Sequence, residues 1–324
     1  MFNLKLMNMT KNQHTQSAGR YANILYDEAF KVVLCSPGNE ELLIKIIELL
    51  IPGKRIRSLS LHDKEQHGLS LSDKNVNFDL YCTSESGEQF IVEMQYSSQH
   101  SYADRMLSYA TYPIREQLAR KLREYRKGWI GRLLKRKPRK KMDYTLLPVY
   151  VVSLLNFKLP HEDARALDEG LISRYDIRNA GNGEQLTDAL HFVFLELDRF
   201  TIGQGEKDKC STLLEKFVYS LKYSHELQER PDSFREDLLV LFYKAIDYAN
   251  MSIRKQEQYD RIMTTQIDII ARQDYAHDMG VEEGLQQGAK QKASEIARQM
   301  LAKSYSPKEV AEITGLSAEE VAKL

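Results

Sequence analysis

NFDLYCTSESGEQFIVEMQ, residues 77–95, holds two runs of aromatic and aliphatic residues on either side of the turn SESGE. VNFDLYC (76–82) and QFIVEMQY (89–96) each have the length and composition of a strand. A three-residue Glu85-Ser86-Gly87 loop with a left-handed glycine closes them into an antiparallel hairpin. That loop fixes the register and sets Asp79 opposite Glu93 and Asn77 opposite Gln95, on one face of the sheet. Phe78 and Leu80 flank Asp79, and Val92 and Met94 flank Glu93. Two carboxylates so placed in apolar strands repel unless a cation or a proton lies between them. A hard divalent cation is one answer, because Mg²⁺ is typically held by one or two carboxylates together with waters and phosphate oxygens. An exposed hairpin face, its acids meeting solvent or lysines, is the other.

Outward from the hairpin, apolar residues recur at helical spacing over Tyr21–Leu34 and again, after Pro37-Gly38, over Asn39–Leu50. IRSLSL (56–61) alternates as a strand, and Tyr102–Arg126 returns to the helical period. LLPVYVVSLLNF (146–157) and HFVFLELDRF (191–200) read as buried strands. After Gly205 the chain is rich in Glu, Lys, Gln, Leu and Ala, and helices are expected throughout. Two capping boxes, Ser306–Glu309 and Ser317–Glu320, joined through Gly315, outline a helix-turn-helix. The domain reading is a flexible start over 1–18, an α/β domain over 19–205 with a basic insertion at 120–141, and a helical region over 206–324 ending in the helix pair of 305–324.

The 324 residues carry 46 basic and 46 acidic side chains, and this balance conceals a local excess. Between Arg120 and Lys141 stand twelve basic residues and one acid, Glu124. Such a block contacts polyanions or anionic lipid, or stays solvated. No apolar stretch reaches the roughly 20 residues of a membrane span, and the N-terminus lacks a secretory h-region, so a cytoplasmic location is expected. Cys35, Cys82 and Cys210 are too few and too scattered for a disulfide framework or a zinc site. A phosphate-binding Gly-rich loop and a Gly-x-Ser-x-Gly elbow are both missing from the sequence.

YDEAFKVVL (26–34), NFDLYC, the Gly87-Glu88 turn into FIVEMQ, and YADRMLSYATYPIREQL (102–118) together resemble the PD-(D/E)XK nuclease family transposases, the recombination-promoting nuclease group. The similarity runs from about Gly19 to about Leu159 and continues in the C-terminal helices. It implies a restriction-endonuclease-like core, helix, mixed β-sheet, helix, and metal-dependent cleavage of DNA. Carried over by residue, Asp79 and Glu93 are the acids of the core motif and the metal ligands. Gln95 stands where the wider superfamily has lysine, and a neutral amide orients a water or a phosphate oxygen without supplying charge. Asp27 matches the acid of the first helix, within Asp-x-x-Phe-Lys. Arg105, Tyr109 and Gln117 match the polar positions of the following helix, as DNA contacts or as supports for the acids.

In the basic block, Arg132, Lys135, Arg136, Lys137, Arg139, Lys140 and Lys141 are placed to track a DNA backbone without reading sequence. Residues 304–324 hold two lysines against four glutamates, which opposes phosphate binding by the terminal helix pair and favours oligomerisation or autoinhibitory packing. Gly280, Gly284 and Gly288 either permit close helix contact or mark a flexible, locally weakened helix. A homo-oligomer through the C-terminal helices is a further expectation. The functional expectation is a Mg²⁺-dependent DNA endonuclease of the transposase or recombination-promoting type. The alternative is a non-catalytic nucleic-acid or protein-binding module on the same fold.

Overall fold

The hairpin forms in the expected register. In the computed structural model, which describes residues 19–62, 65–66, 76–98, 101–133, 143–160 and 170–324, Leu80 faces Val92 and Thr83 faces Gln89. Ser84 and Glu88 close the ladder, and Gly87 takes a φ of 86°. A side chain there would meet Leu147 and strain a left-handed backbone, so glycine is required twice over.

Unit 1, Met1–Ile262, is built on a six-stranded sheet in the order β1-β4-β5-β6-β8-β7. The strands are β1 (Leu59–Leu61), β4 (Leu80–Ser84), β5 (Gln89–Gln95), β6 (Val149–Leu155), β7 (Ile172–Asp176) and β8 (Leu190–Glu196). β5, β6 and β8 run parallel and the outer pairings are antiparallel. The central strands are buried along their whole length, as expected of parallel strands covered on both faces. A separate two-stranded piece joins β2 (Glu65–Gln66) to β3 (Val76–Asn77). The helices of this unit are α1 (Asp27–Val33), α2 (Glu40–Leu50), α3 (Tyr102–Leu133), α4 (Leu213–Tyr223), α5 (Asp237–Ile246) and the start of α6 (Ile253–Ala302).

Three expectations need correction. VNFDLYC is not one strand: Asn77 pairs with Glu65, not with Gln95, and the chain bends at Phe78–Asp79. In a continued ladder the Met94 N–H would go to the Phe78 carbonyl; here it donates to the Asp79 carboxylate. Phe78 turns instead into a cage of Tyr81, Tyr109 and Tyr112 rings, with centroids 5.4–5.8 Å away. Second, Tyr21–Tyr26 is not helical. Tyr21 bridges to Asp247 and the Ala22 N–H bonds the Ile246 carbonyl, so tertiary pairing overrides the helical spacing and the helix starts only at Asp27. Third, β7 is an edge strand absent from the sequence-based reading. The composition change at Gly205 marks where strands give way to helices, while the compact unit extends to Ile262.

α3 covers the sheet face that holds Ile91, Val151, Leu155 and Phe194, with Tyr102, Met106 and Ala110 directed into that core. Pro113 lies within the helix. All three cysteines are buried and none forms a disulfide.

Unit 2, Met263–Leu324, contains the rest of α6, then α7 (Pro307–Thr314) and α8 (Ala318–Ala322). Both capping boxes form, and Gly315 ends α7 at a φ of 72°. Ala297, Val310, Leu316 and Val321 make a small core for this three-helix end. Among the described residues no helix is long and apolar enough to cross a membrane.

Candidate active site

The bend at Asp79 gives each of two carboxylates a backbone N–H across the hairpin. The Asp79 N–H donates to Glu93 Oε1 at 3.1 Å, and the Met94 N–H donates to Asp79 Oδ2 at 2.8 Å. Asp79 and Glu93 are 4% and 5% exposed, so both acids sit under α1 and α3 rather than on an open hairpin face. Burial pushes Asp79 up to about 6, against the pull of Lys31. Burial, then the charge of Asp79, raises Glu93 well above the usual carboxylate range.

Gln95 follows on the same face of β5, two residues beyond Glu93. Its amide is held from both sides: Arg105 Nη2 donates to Oε1, and Nε2 donates to Asp27 Oδ2 at 3.5 Å. Asp27 also accepts the Tyr96 N–H at 3.2 Å, which fixes the first turn of α1 against the end of β5. Burial raises the Asp27 carboxyl as well. Arg105 lies against the rings of Tyr102 and Tyr109, at 5.2 and 5.9 Å from the centroids, so the i, i+4 pair on α3 does share a face. Asp27, Asp79, Glu93, Gln95, Arg105 and Tyr109 thus converge from α1, the hairpin and α3.

Lys31 completes the cluster; the sequence reading held it only as the last residue of Asp-x-x-Phe-Lys and gave it no role. Its ammonium lies 3.0 Å from Asp79 Oδ1 and 3.0 Å from Glu28 Oε1. Burial alone would lower this lysine, but Asp79 and Glu28 lift it above its ordinary value. The available signal was the i, i+4 spacing from Asp27 and a lysine set between Phe30 and Val32 on a largely apolar helix.

Gln117 is not part of this cluster. It is 1% exposed and its amide is fully used: it donates to Gln89 Oε1 at 2.7 Å and to the Leu147 carbonyl at 3.1 Å, and accepts the Leu147 N–H at 2.8 Å. Gln89 in turn donates to the Tyr81 hydroxyl, which donates to Glu116 at 2.6 Å. This network pins α3 to the start of β5 and β6, and leaves Gln117 no group for a phosphate. Of the basic block, α3 carries the backbone to Leu133 and includes Arg132. Lys135, Arg136, Lys137, Arg139, Lys140 and Lys141 lie outside the described residues.

The donor chemistry at Asp79 and Glu93 fits a hard divalent cation: two buried carboxylates of raised proton affinity, with Lys31 beside only one of them. Among the described residues no set of three His, Cys, Asp or Glu side chains could hold a metal. A cation there would therefore complete its shell with water and substrate oxygens, as Mg²⁺ commonly does.

A mixed sheet between helices, with paired acids at a bent hairpin under the flanking helices, defines a restriction-endonuclease-like nuclease core. The chain belongs to the PD-(D/E)XK nuclease family transposases, whose sequence model matches residues 24–276. A second model, the Rpn/YhgA-like nuclease family C-terminal HTH domain, matches residues 290–324, which include α7 and α8. Neither a curated protein nor a solved structure matches the chain.

Proposed function

We propose that the protein is a divalent-metal-dependent DNA endonuclease of the transposase or recombination-promoting type, with Asp79 and Glu93 as the metal ligands. The observation that carries this reading is the burial of two neighbouring carboxylates, both raised in proton affinity and each held by a backbone N–H across the hairpin, beside the polar cluster of Asp27, Lys31, Gln95 and Arg105. A bound Mg²⁺ would polarise a phosphoryl oxygen and lower the pKa of an attacking water. The chain's own residues supply orientation and charge. Gln95, clamped between Arg105 and Asp27, presents a fixed amide to a water or a phosphate oxygen. Lys31 supplies the positive charge that a glutamine at position 95 does not, from α1 instead of from β5. Arg105, with Tyr109 beside it, is the candidate phosphate contact, since guanidinium geometry suits phosphate oxygens.

The basic residues from Arg132 to Lys141 are proposed to grip duplex DNA outside the chemistry. Replacing Arg136, Lys137, Arg139, Lys140 and Lys141 by glutamine should weaken DNA binding for all sequences. It should also flatten the slope of log affinity against log salt by roughly 0.9 per lost contact. An unaltered slope would remove this assignment.

The deciding experiment pairs plasmid cleavage in Mg²⁺ or Mn²⁺ with calorimetric titration of the metal-free chain. The wild type should nick DNA and take up metal, and Asp79→Ala and Glu93→Ala should lose both. Metal uptake without cleavage of any DNA form, or cleavage undiminished in both variants, would sink the proposal. DNA binding with neither cleavage nor metal uptake would point to a non-catalytic binding module.

A further inference from the structure

The Lys31 ammonium lies between two carboxylates in unlike surroundings. Buried Asp79 meets it at Oδ1, and Glu28, one turn back on α1 with its side chain 57% exposed, meets it at Oε1, both at 3.0 Å. Both Asp79 oxygens are thereby engaged, Oδ1 by Lys31 and Oδ2 by the Met94 N–H. A divalent cation on Asp79 Oδ1 would share that oxygen with an ammonium. Like charges so close repel, and at a buried site water screens little of the repulsion. The Met94 N–H is fixed by β5, whereas the lysine ammonium rides on a flexible four-carbon stem, so Lys31 is the group able to move. Two acids stand one turn back on its own helix, Asp27 and Glu28. Asp27 already holds the Tyr96 N–H and the Gln95 amide. Glu28 bonds Lys31 alone among the described residues.

We propose that Glu28 is a positioning residue of this site, the seat that keeps the Lys31 ammonium when Asp79 exchanges it for a divalent cation. Lys31 has two states in this account. On Asp79 it is the countercharge of the metal-free acid pair, whose two carboxylates would otherwise repel. On Glu28 alone it leaves Asp79 Oδ1 open and stays on the same face of α1, so the positive charge is not lost from the site. Lys31 therefore competes with the cation, and Glu28 weakens the competitor by offering it a second partner. Two residues that would touch no metal thus set how tightly Asp79 and Glu93 hold one. The inference rests on the reading of Asp79 and Glu93 as cation ligands and adds what tunes their affinity.

Calorimetric titration of the metal-free full-length chain with Mn²⁺, in mildly alkaline buffer where protons compete least, should read the two residues with opposite signs. Lys31→Met removes the competitor and should bind Mn²⁺ at least about tenfold more tightly. Glu28→Gln leaves Lys31 with Asp79 as its strong partner and should bind Mn²⁺ about tenfold more weakly, the lower end of what an outer-shell partner commonly contributes. A carboxylate near the site would also attract a cation directly, and combining Glu28→Gln with Lys31→Met separates the two causes. In that double variant the Glu28→Gln loss should disappear, whereas a direct attraction would persist. Thermal melts verify folding, and Lys31→Gln, which keeps a donor near Asp79, serves in place of Lys31→Met if the latter does not fold. Binding no tighter in the folded Lys31 variant, binding unchanged in Glu28→Gln, or an undiminished loss in the double variant would each overturn the inference and leave Asp79 and Glu93 as ligands. A wild type that takes up no Mn²⁺ would overturn the metal-site reading and this inference with it.

Discussion

The two ends of β5 meet α3 in opposite ways. At the Gln89 end, Gln117, Gln89, Tyr81 and Glu116 form a hydrogen-bonded chain whose one ionisable carboxyl is Glu116. At the Gln95 end, three carboxyl groups crowd with Lys31 and Arg105, and burial raises all three acids. One end holds the helix to the sheet. The other gathers buried acids of raised proton affinity around two cations, the kind of perturbed cluster in which a functional site is sought.

Opposite responses to mutation should separate the ends. The largest effect is expected from Glu93→Gln. Cleavage should fall by more than the roughly 10- to 100-fold typical of losing an outer-shell partner of a metal. The metal-free protein should melt at a higher temperature, because the amide still accepts the Asp79 N–H and carries no buried charge. The sign of the pH dependence follows from the raised carboxyl. The native state holds its proton more tightly than the unfolded chain, so this group's contribution to stability falls as pH rises above the ordinary carboxylate range. Glu93→Gln should flatten that fall in metal-free thermal melts. A variant melting below the wild type would show that the charge is structural.

Gln117→Leu probes the other end. It leaves the Leu147 N–H and two carbonyl oxygens without their partner, at a cost of about 2 to 3 kcal/mol. Denaturant titration should register that loss while cleavage per folded molecule is retained. Unchanged stability with lost cleavage would return Gln117 to the role of DNA contact suggested by its motif. Between these extremes, Gln95→Ala should reduce cleavage about 10- to 100-fold, the usual effect of a positioning partner, with little change in stability. A loss confined to DNA affinity would mean that the amide binds and does not orient.

The site was legible wherever a local rule governs it. Gly87 and its three-residue loop set the hairpin register, and the register brought Asp79 to Glu93. The two capping boxes announced α7 and α8 for the same reason, since each involves only a few adjacent residues. What escaped depends on distant partners. The bend at Asp79 arises because a side chain takes the N–H of Met94 across the hairpin. Lys31 acquires meaning only when α1 lies over the sheet. Gln117 looks like a phosphate contact until burial is known. Tyr21–Tyr26 has helical spacing but is drawn out by Asp247 and Ile246. β7 is five residues long, and its place at the sheet edge comes from pairing with β8.

The smallest predicted effect is the closest control, because it repeats the Glu-to-Gln exchange at the quiet end. Glu116 is half-buried and accepts the Tyr81 hydroxyl at 2.6 Å, with no second acid in the network. Glu116→Gln keeps an acceptor oxygen there but replaces a charge-assisted bond with a neutral one, at a cost of about 1 kcal/mol or less. Removing a negative charge therefore destabilises slightly at this end and stabilises at the other, although both glutamates lie against the same strand and helix. Cleavage should not change, since the Gln89–Tyr81–Glu116 chain does not touch the carboxylates of Asp79 or Glu93. Paired thermal melts of Glu93→Gln and Glu116→Gln read the difference directly. Shifts of the same sign would mean that burial alone, and not the crowding of acids around Glu93, sets the response.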